Sequence, residues 1–297
     1  MIQLFHVGYQ KCGSTFLQRR FFRAVDGINY IPVNGLSYGL IKADDLFYDP
    51  AGAAAEMRER FADPERLNVL SHEQFICNYS HITRTCDRLH ALSPEAKVLI
   101  VIRSQAGLLK SMYQQRIRGG FGFTFPRYVT EYCQRDQTLP GLRFNKVIGL
   151  YRDRFGAENV RVELFERFFN EAAMRGLLAF LGLADRRFGA DLGEKVNVRY
   201  SPFSHHVQLL VNKLQGTTLQ GFDPEDMLAY RAYRKLAKPI DRLIAKVAPR
   251  WALEFDEATE EFIRLYFDED NRELAALFPD IDIRSLGYFH TGEEVRP

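Results

Sequence analysis

Apolar residues along this chain fall into two kinds of run. Short unbroken blocks occupy Ile2–Val7, Leu67–Ser71, Lys97–Ile102 and Val160–Phe165, and each predicts a strand. The block KVLIVI at Lys97–Ile102 is the clearest, a continuous apolar run suited to a sheet covered on both faces. Between and after these blocks, apolar positions recur every three to four residues, over Ser14–Phe22, 170–183, 205–214, 223–247 and 257–278. That spacing predicts amphipathic helices. Strands alternating with helices predict an α/β class with a central parallel sheet flanked by helices. From about Ser201 the pattern is mostly helical, and these helices are expected to pack on the sheet. The chain is accordingly read as a single domain, 1–297, with no internal repeat, low-complexity tract or linker.

Composition changes this picture little. The 297 residues are 46% hydrophobic and 26% charged, ordinary values for a globular chain able to bury a substantial core. A formal net charge of +2 says almost nothing about partners, so any basic site must come from local clustering, and no nucleic-acid partner is expected. Cys12, Cys77, Cys86 and Cys133 have neither CxxC nor Cys/His ligand spacing, and read as separate thiols. No apolar run approaches the ~20 residues that span a bilayer. The first block leads straight into a glycine loop without room for a signal peptide. The chain as given is therefore expected in the cytoplasm, unless an anchor preceded Met1.

Chemistry first shows in HVGYQKCGSTFLQ, residues 6–18. Gly8 and Gly13 carry the spacing of the triphosphate-binding loop G-x-x-x-x-G-K-[ST], and Ser14 and Thr15 supply hydroxyls. The lysine, however, comes two residues early, at Lys11. A strand turning sharply into a helix points successive N–H groups into one concavity and adds the positive end of the helix dipole. The segment is read as a phosphate loop against the alternative of a plain structural turn. A triphosphatase would also need a magnesium-binding aspartate at the end of an apolar strand. The strands instead end in Ser71-His72-Glu73, in Arg103 and in Glu166, of which Glu73 and Glu166 are the available substitutes.

A second candidate lies in VLIVIRSQAGLLKSMYQQRIRGG, residues 98–120. Arg103 ends a strand, and Ser111 follows eight positions later on the next helix. The two could clamp one phosphate from two sides, or could serve as a helix cap and a solvent-facing serine. Taken together, YQKCGSTFLQ resembles the loop for the 5′-phosphosulfate in sulfotransferases that use 3′-phosphoadenosine-5′-phosphosulfate (PAPS). VIRSQAGLLKSMYQQ resembles the same family's 3′-phosphate segment. VRVELFERF, LLAFLGL and YFDEDNRELAALF are more weakly similar to bacterial and carbohydrate-type members. The resemblance implies a P-loop-type sheet and sulfuryl transfer from PAPS without a metal. It implies that Lys11 contacts the 5′-phosphate and the bridging oxygen. The backbone at Cys12 and Gly13, with Ser14 and Thr15, then holds the 5′-phosphate, and Arg103 and Ser111 hold the 3′-phosphate. Phe16 falls where the family often has an aromatic near adenine, with a core role as its alternative. Phe165 and Asn197–Arg199 are weaker cofactor candidates.

In-line transfer to a hydroxyl or amine needs a general base. SHEQF places Ser71, His72 and Glu73 at the carboxyl edge of the sheet, where open α/β sheets form their sites. Glu73 is the first choice and His72 the second, and a helix cap or ion pair is the bland role for Glu73. QQRIRGGFGFTFPRYV, residues 114–129, reads as an acceptor-side loop with Arg116, Arg118 and Phe121 toward substrate, or as a loop packed into the core. Residues 228–251 hold seven basic residues against one acidic, interleaved with Tyr230, Tyr233 and Trp251. They suit an acidic glycan or peripheral contact with a membrane bearing a lipid-linked acceptor, or simply a solvated face. The softer motifs tilt the acceptor toward a carbohydrate or glycolipid hydroxyl. A magnesium-dependent P-loop kinase and a non-catalytic nucleotide-binding protein remain the rivals.

Overall fold

The computed structural model describes residues 1–32, 38–61, 65–187, 209, 212–213 and 255–289. Five strands form one parallel sheet in the order β2-β3-β1-β4-β5. They are β1 (Leu4–His6), β2 (Ile28–Ile31), β3 (Leu67–Ser71), β4 (Lys97–Ile102) and β5 (Val160–Leu164). Four are the apolar blocks of the sequence. The fifth, β2, has the polar residue Asn29 and the half-exposed Tyr30 inside a four-residue edge strand, so no block marked it. In β4, Val98 to Ile102 are all fully buried, as an unbroken apolar run between two helical layers requires.

The connections place one site. Helix α1 (Ser14–Phe16), continued as a π-helical turn over Leu17–Phe21, leaves β1 toward the β2–β3 side. After β3 come the short α3 (Gln74–Cys77) and α4 (Ile82–Leu92), which cross to β4; an earlier α2 (Pro50–Glu59) joins β2 to β3. After β4 come α5 (Gln105–Arg118), short helical turns over residues 125–141, and α6 (Phe144–Phe155) before β5. The chain thus departs β1 in one direction and β3 in the other, which opens a crevice at their carboxyl ends. Register locks these ends together: His6 pairs with Ser71 on one side and Leu99 on the other.

Helix α7 (Glu171–Phe180) follows β5, with Asn170 Oδ1 accepting the Ala173 amide at 2.9 Å as its N-cap. The described C-terminal part is helical and packs on the sheet layer as expected. Helix α8 (Glu257–Ala275) lies on α5 and α6. Buried Gln105 and Asn271 exchange amide hydrogen bonds of 2.8 and 3.2 Å. The Asp270 carboxylate accepts from the amides of Asn145 (3.0 Å) and Lys146 (3.3 Å), capping the first turn of α6. Lys110 and Glu260 add an ion pair at 2.5 Å. The sequence segments 197–199 and 228–251 lie outside the described residues.

Candidate active site

Beyond His6 the chain runs on beside β4, with Val7 N–H donating to Leu99 O (3.1 Å) and Tyr9 N–H to Val101 O (3.4 Å). The buried Tyr9 hydroxyl donates to Gly141 O at 2.9 Å, and Gln10 N–H donates to Cys77 Sγ at 3.3 Å. The loop is therefore anchored from behind before it turns. The turn uses two left-handed residues, Lys11 at φ 62° and Gly13 at φ 87°. Such residues fold neighbouring N–H groups toward one side, the geometry of an anion nest. Gly13 O then accepts from Phe16 N (2.9 Å) and Leu17 N (3.2 Å), starting α1.

Gly13 has no alternative, because a β-carbon there would lie 2.0 Å from Phe169 Cζ. Cys12 is 1% exposed and burial raises its thiol well above the ordinary range, so only its backbone is available to a ligand. The Ser14 hydroxyl, also buried, approaches Tyr9 O at 3.5 Å, and Thr15 is half-buried.

Four of the residues singled out from sequence converge electrostatically. Burial lowers the Lys11 pKa, the charges of Arg118 and Arg103 lower it further, and Glu73 opposes them. Lys11 comes from the loop, Glu73 from the end of β3, Arg103 from the end of β4 and Arg118 from the last turn of α5. Arg103 lies over the Phe165 ring at 4.7 Å. Its neighbour Ser104 donates its amide to Glu166 Oε1 at 3.0 Å, while Tyr288 donates its hydroxyl to Glu166 Oε2 at 3.3 Å. Glu166, a sequence-level substitute for a magnesium ligand, thus uses its carboxylate to hold the start of α5.

Glu73 stands at the N-terminus of α3 but makes no side-chain cap there, and forms no ion pair among the described residues. His72 differs. Its Nδ1 accepts the Gln74 amide at 3.0 Å, and its pKa is lowered, first by burial and also by Lys42. A neutral imidazole with an engaged Nδ1 lone pair carries its proton on Nε2.

Other predicted residues sit differently. Phe121 is 5% exposed and packs among Tyr113, Phe123, Tyr128 and Tyr132, the core-packed arrangement of its loop. Arg116 stacks over Tyr132 at 4.8 Å. Phe16 is 8% exposed and meets Phe169 edge-on at 5.3 Å. Ser111 lies half-buried midway along α5, with no side-chain hydrogen bond among the described residues. Sequence reading missed Phe169, which walls Gly13, and Cys77, which holds Gln10. The only signal for either was its position just after a strand's carboxyl end.

Neither a known protein-family model nor any curated protein matches this chain. Among solved structures, the crystal structure of a sulfotransferase from Alicyclobacillus acidocaldarius aligns with a TM-score of 0.62 at 19% identity. The alignment covers 96% of this chain and 98% of that one. The chain therefore shares the fold of that sulfotransferase over nearly its whole length.

Proposed function

We propose that this protein is a PAPS-dependent sulfotransferase that moves a sulfuryl group to a hydroxyl of a carbohydrate or glycolipid acceptor. The observation that carries the reading is the meeting of Lys11, Arg103 and Arg118 with one carboxylate, Glu73, around a left-handed glycine loop. Three cations on a backbone nest suit a donor with several phosphate charges. In the family pattern Lys11 and the amides around Cys12 and Gly13 take the 5′-phosphate, and Arg103 with Ser111 takes the 3′-phosphate. The displaced lysine then lies at the leaving phosphate, where its charge offsets the negative charge that develops as the sulfur–oxygen bond breaks.

Glu73 serves as the base in this scheme and receives the hydroxyl proton as the acceptor oxygen attacks sulfur. His72 is the weaker choice, because its Nδ1 already accepts the Gln74 amide. Arg118 faces the same charge cluster and is assigned to the transferring group or the acceptor. Arg116 and Phe121 are engaged with Tyr132 and its aromatic neighbours, which leaves them as supports of the acceptor side.

Thermal shift separates the readings. The donor's product, 3′,5′-adenosine bisphosphate, is expected to stabilise the protein by about 3 kcal/mol at a hundredfold excess over Kd. ATP with magnesium is expected to do far less; the opposite ranking would make the kinase reading correct. Transfer of labelled sulfate from PAPS to a panel of sugar acceptors separates an enzyme from a non-catalytic nucleotide binder.

A further inference from the structure

A cleft of about 490 Å³ opens between the start of α4 and the first turns of α6, behind the glycine loop. Its charged lining is Arg84, Lys146 and His81, and no carboxylate lines it. On the same two helices Arg88 pairs with Asp45 at 2.5 Å and Arg154 with Asp87 at 2.8 Å, while Arg152, which does not line the cleft, resembles Arg84 in having a buried Nε without a hydrogen-bond partner among the described residues. Arg84 and Lys146 join no ion pair among the described residues, and the buried Arg84 Nε has no hydrogen-bond acceptor. The nearby Asp270 is directed to the amides of Asn145 and Lys146. The first turn of α4 has no side-chain cap, so its amides add partial positive charge on the same side.

We infer that this cleft is a second anion site, which takes a sulfate or phosphate ester carried on a body the size of a sugar. The volume falls in the range of small-molecule sites rather than that of a bare ion. Val147, Leu150 and Pro140 give the remainder of the ligand an apolar wall. Arg84 is half-buried, and its Nε, buried without an acceptor among the described residues, would gain one from an oxyanion seated against the guanidinium.

The cleft also shares a wall with the loop. Tyr79, on its lining, donates to Cys77 Sγ at 3.6 Å, and the same sulfur accepts the Gln10 amide. Gly141, also on the lining, accepts the Tyr9 hydroxyl. An ester in the cleft would therefore press on the contacts that anchor the loop.

Calorimetric titration at matched ionic strength tests this, using inorganic sulfate, a sugar monosulfate and a sugar monophosphate. The loop is first filled with saturating 3′,5′-adenosine bisphosphate, and the titrations are repeated on Lys11→Met without it. Saturable binding is expected in both settings. It should weaken at least tenfold in Arg84→Gln/Lys146→Gln, whose melting point is checked against wild type. Lys146→Gln alone, at an exposed position, should weaken it at least threefold and serves if the double variant misfolds. Tighter binding of either ester than of the free ion identifies which source the site prefers. Titrations unchanged in the cleft variants, or abolished by Lys11→Met, would overturn the inference. Bisphosphate binding, measured separately, reports on the loop alone, so either reading can fail without the other.

Discussion

The ring of Phe169 closes on the Cα of Gly13, so that a single added methyl would meet Phe169 Cζ at 2.0 Å. The contact joins the segment after β5 to the loop after β1, and Phe16, Phe165 and Phe168 surround the same ring. Gly13→Ala meets this wall and a φ of 87° at once. Left-handed strain of about 1–2 kcal/mol and overpacking of about 1–3 kcal/mol add to a substantial destabilisation. Denaturant melts should show a loss of about 2–5 kcal/mol, and bisphosphate binding should disappear even at temperatures where the variant stays folded. Phe169→Ala should instead keep the loop's backbone preference and weaken bisphosphate binding only partly.

Lys11 is held against its own preferences. It is a non-glycine residue at φ 62°, its charge is partly desolvated, and two arginines repel it. Strain of this kind gathers at functional sites. Lys11→Gly should therefore raise stability by about 1 kcal/mol, from relief of the left-handed conformation, while abolishing transfer. A variant that loses activity and stability together would assign Lys11 a structural role. The pH dependence has a definite sign. A lysine pKa below its ordinary value loses charge earlier as pH rises, so bisphosphate affinity should fall at a lower alkaline pH than for an unperturbed lysine. Lys11→Arg should move that fall upward, since guanidinium stays charged. For stability, the unfolded chain holds the Lys11 proton to higher pH. Its contribution therefore rises with pH between the folded pKa and about 10.5.

The carboxylate and the imidazole beside it can be separated kinetically. Glu73 has no cap or ion pair to lose among the described residues, so Glu73→Gln should leave stability and bisphosphate affinity near wild type. Its kcat should fall by roughly 10²–10⁴, the usual contribution of a general base. His72→Gln should reduce kcat less than tenfold, because Nδ1 of the native ring serves the backbone of Gln74. The reverse ranking would exchange the two roles.

Much of this was legible in the chain because strong signals do not depend on distant partners. KVLIVI needs two covering layers and can only be an interior strand, and the Gly8–Gly13 spacing behind an apolar block defines a strand–loop–helix unit. The weaker parts fail for physical reasons. β2 carries a polar Asn29, which is satisfied by Asn68 at 2.7 Å and by Arg60 O at 3.2 Å, contacts that no local pattern encodes. The phenylalanines of 121–125 looked equally suited to a ligand or a core. Only the tyrosines at 113, 128 and 132, brought in by α5 and the turns after it, decide for packing. The grouping of Lys11 with Arg118 spans more than a hundred residues of chain and follows from where α5 ends.

His6 supplies a last test, at the root of the loop. Gln18 Nε2 donates to Ser71 Oγ at 3.1 Å, and the same hydroxyl shares a hydrogen bond of 2.6 Å with His6 Nδ1. The ring is fully buried, its Nε2 has no hydrogen-bond partner among the described residues, and burial lowers its pKa from 6.5 to about 3. A folded pKa below the unfolded one means that the unfolded chain takes up the proton first as pH falls. Stability is then complete above about 6.5 and declines as pH drops toward 3. A shift of this size corresponds to roughly 4–5 kcal/mol across the window. His6→Asn retains an acceptor for Ser71 but cannot titrate. Its unfolding free energy should therefore be lower than wild type near pH 7 and flatter between pH 6.5 and 3, the two curves approaching each other in acid. Urea melts at half-unit intervals would check this. Parallel curves for the two proteins would show that His6 takes up its proton equally in the folded and unfolded chain, and burial would not be what sets its pKa.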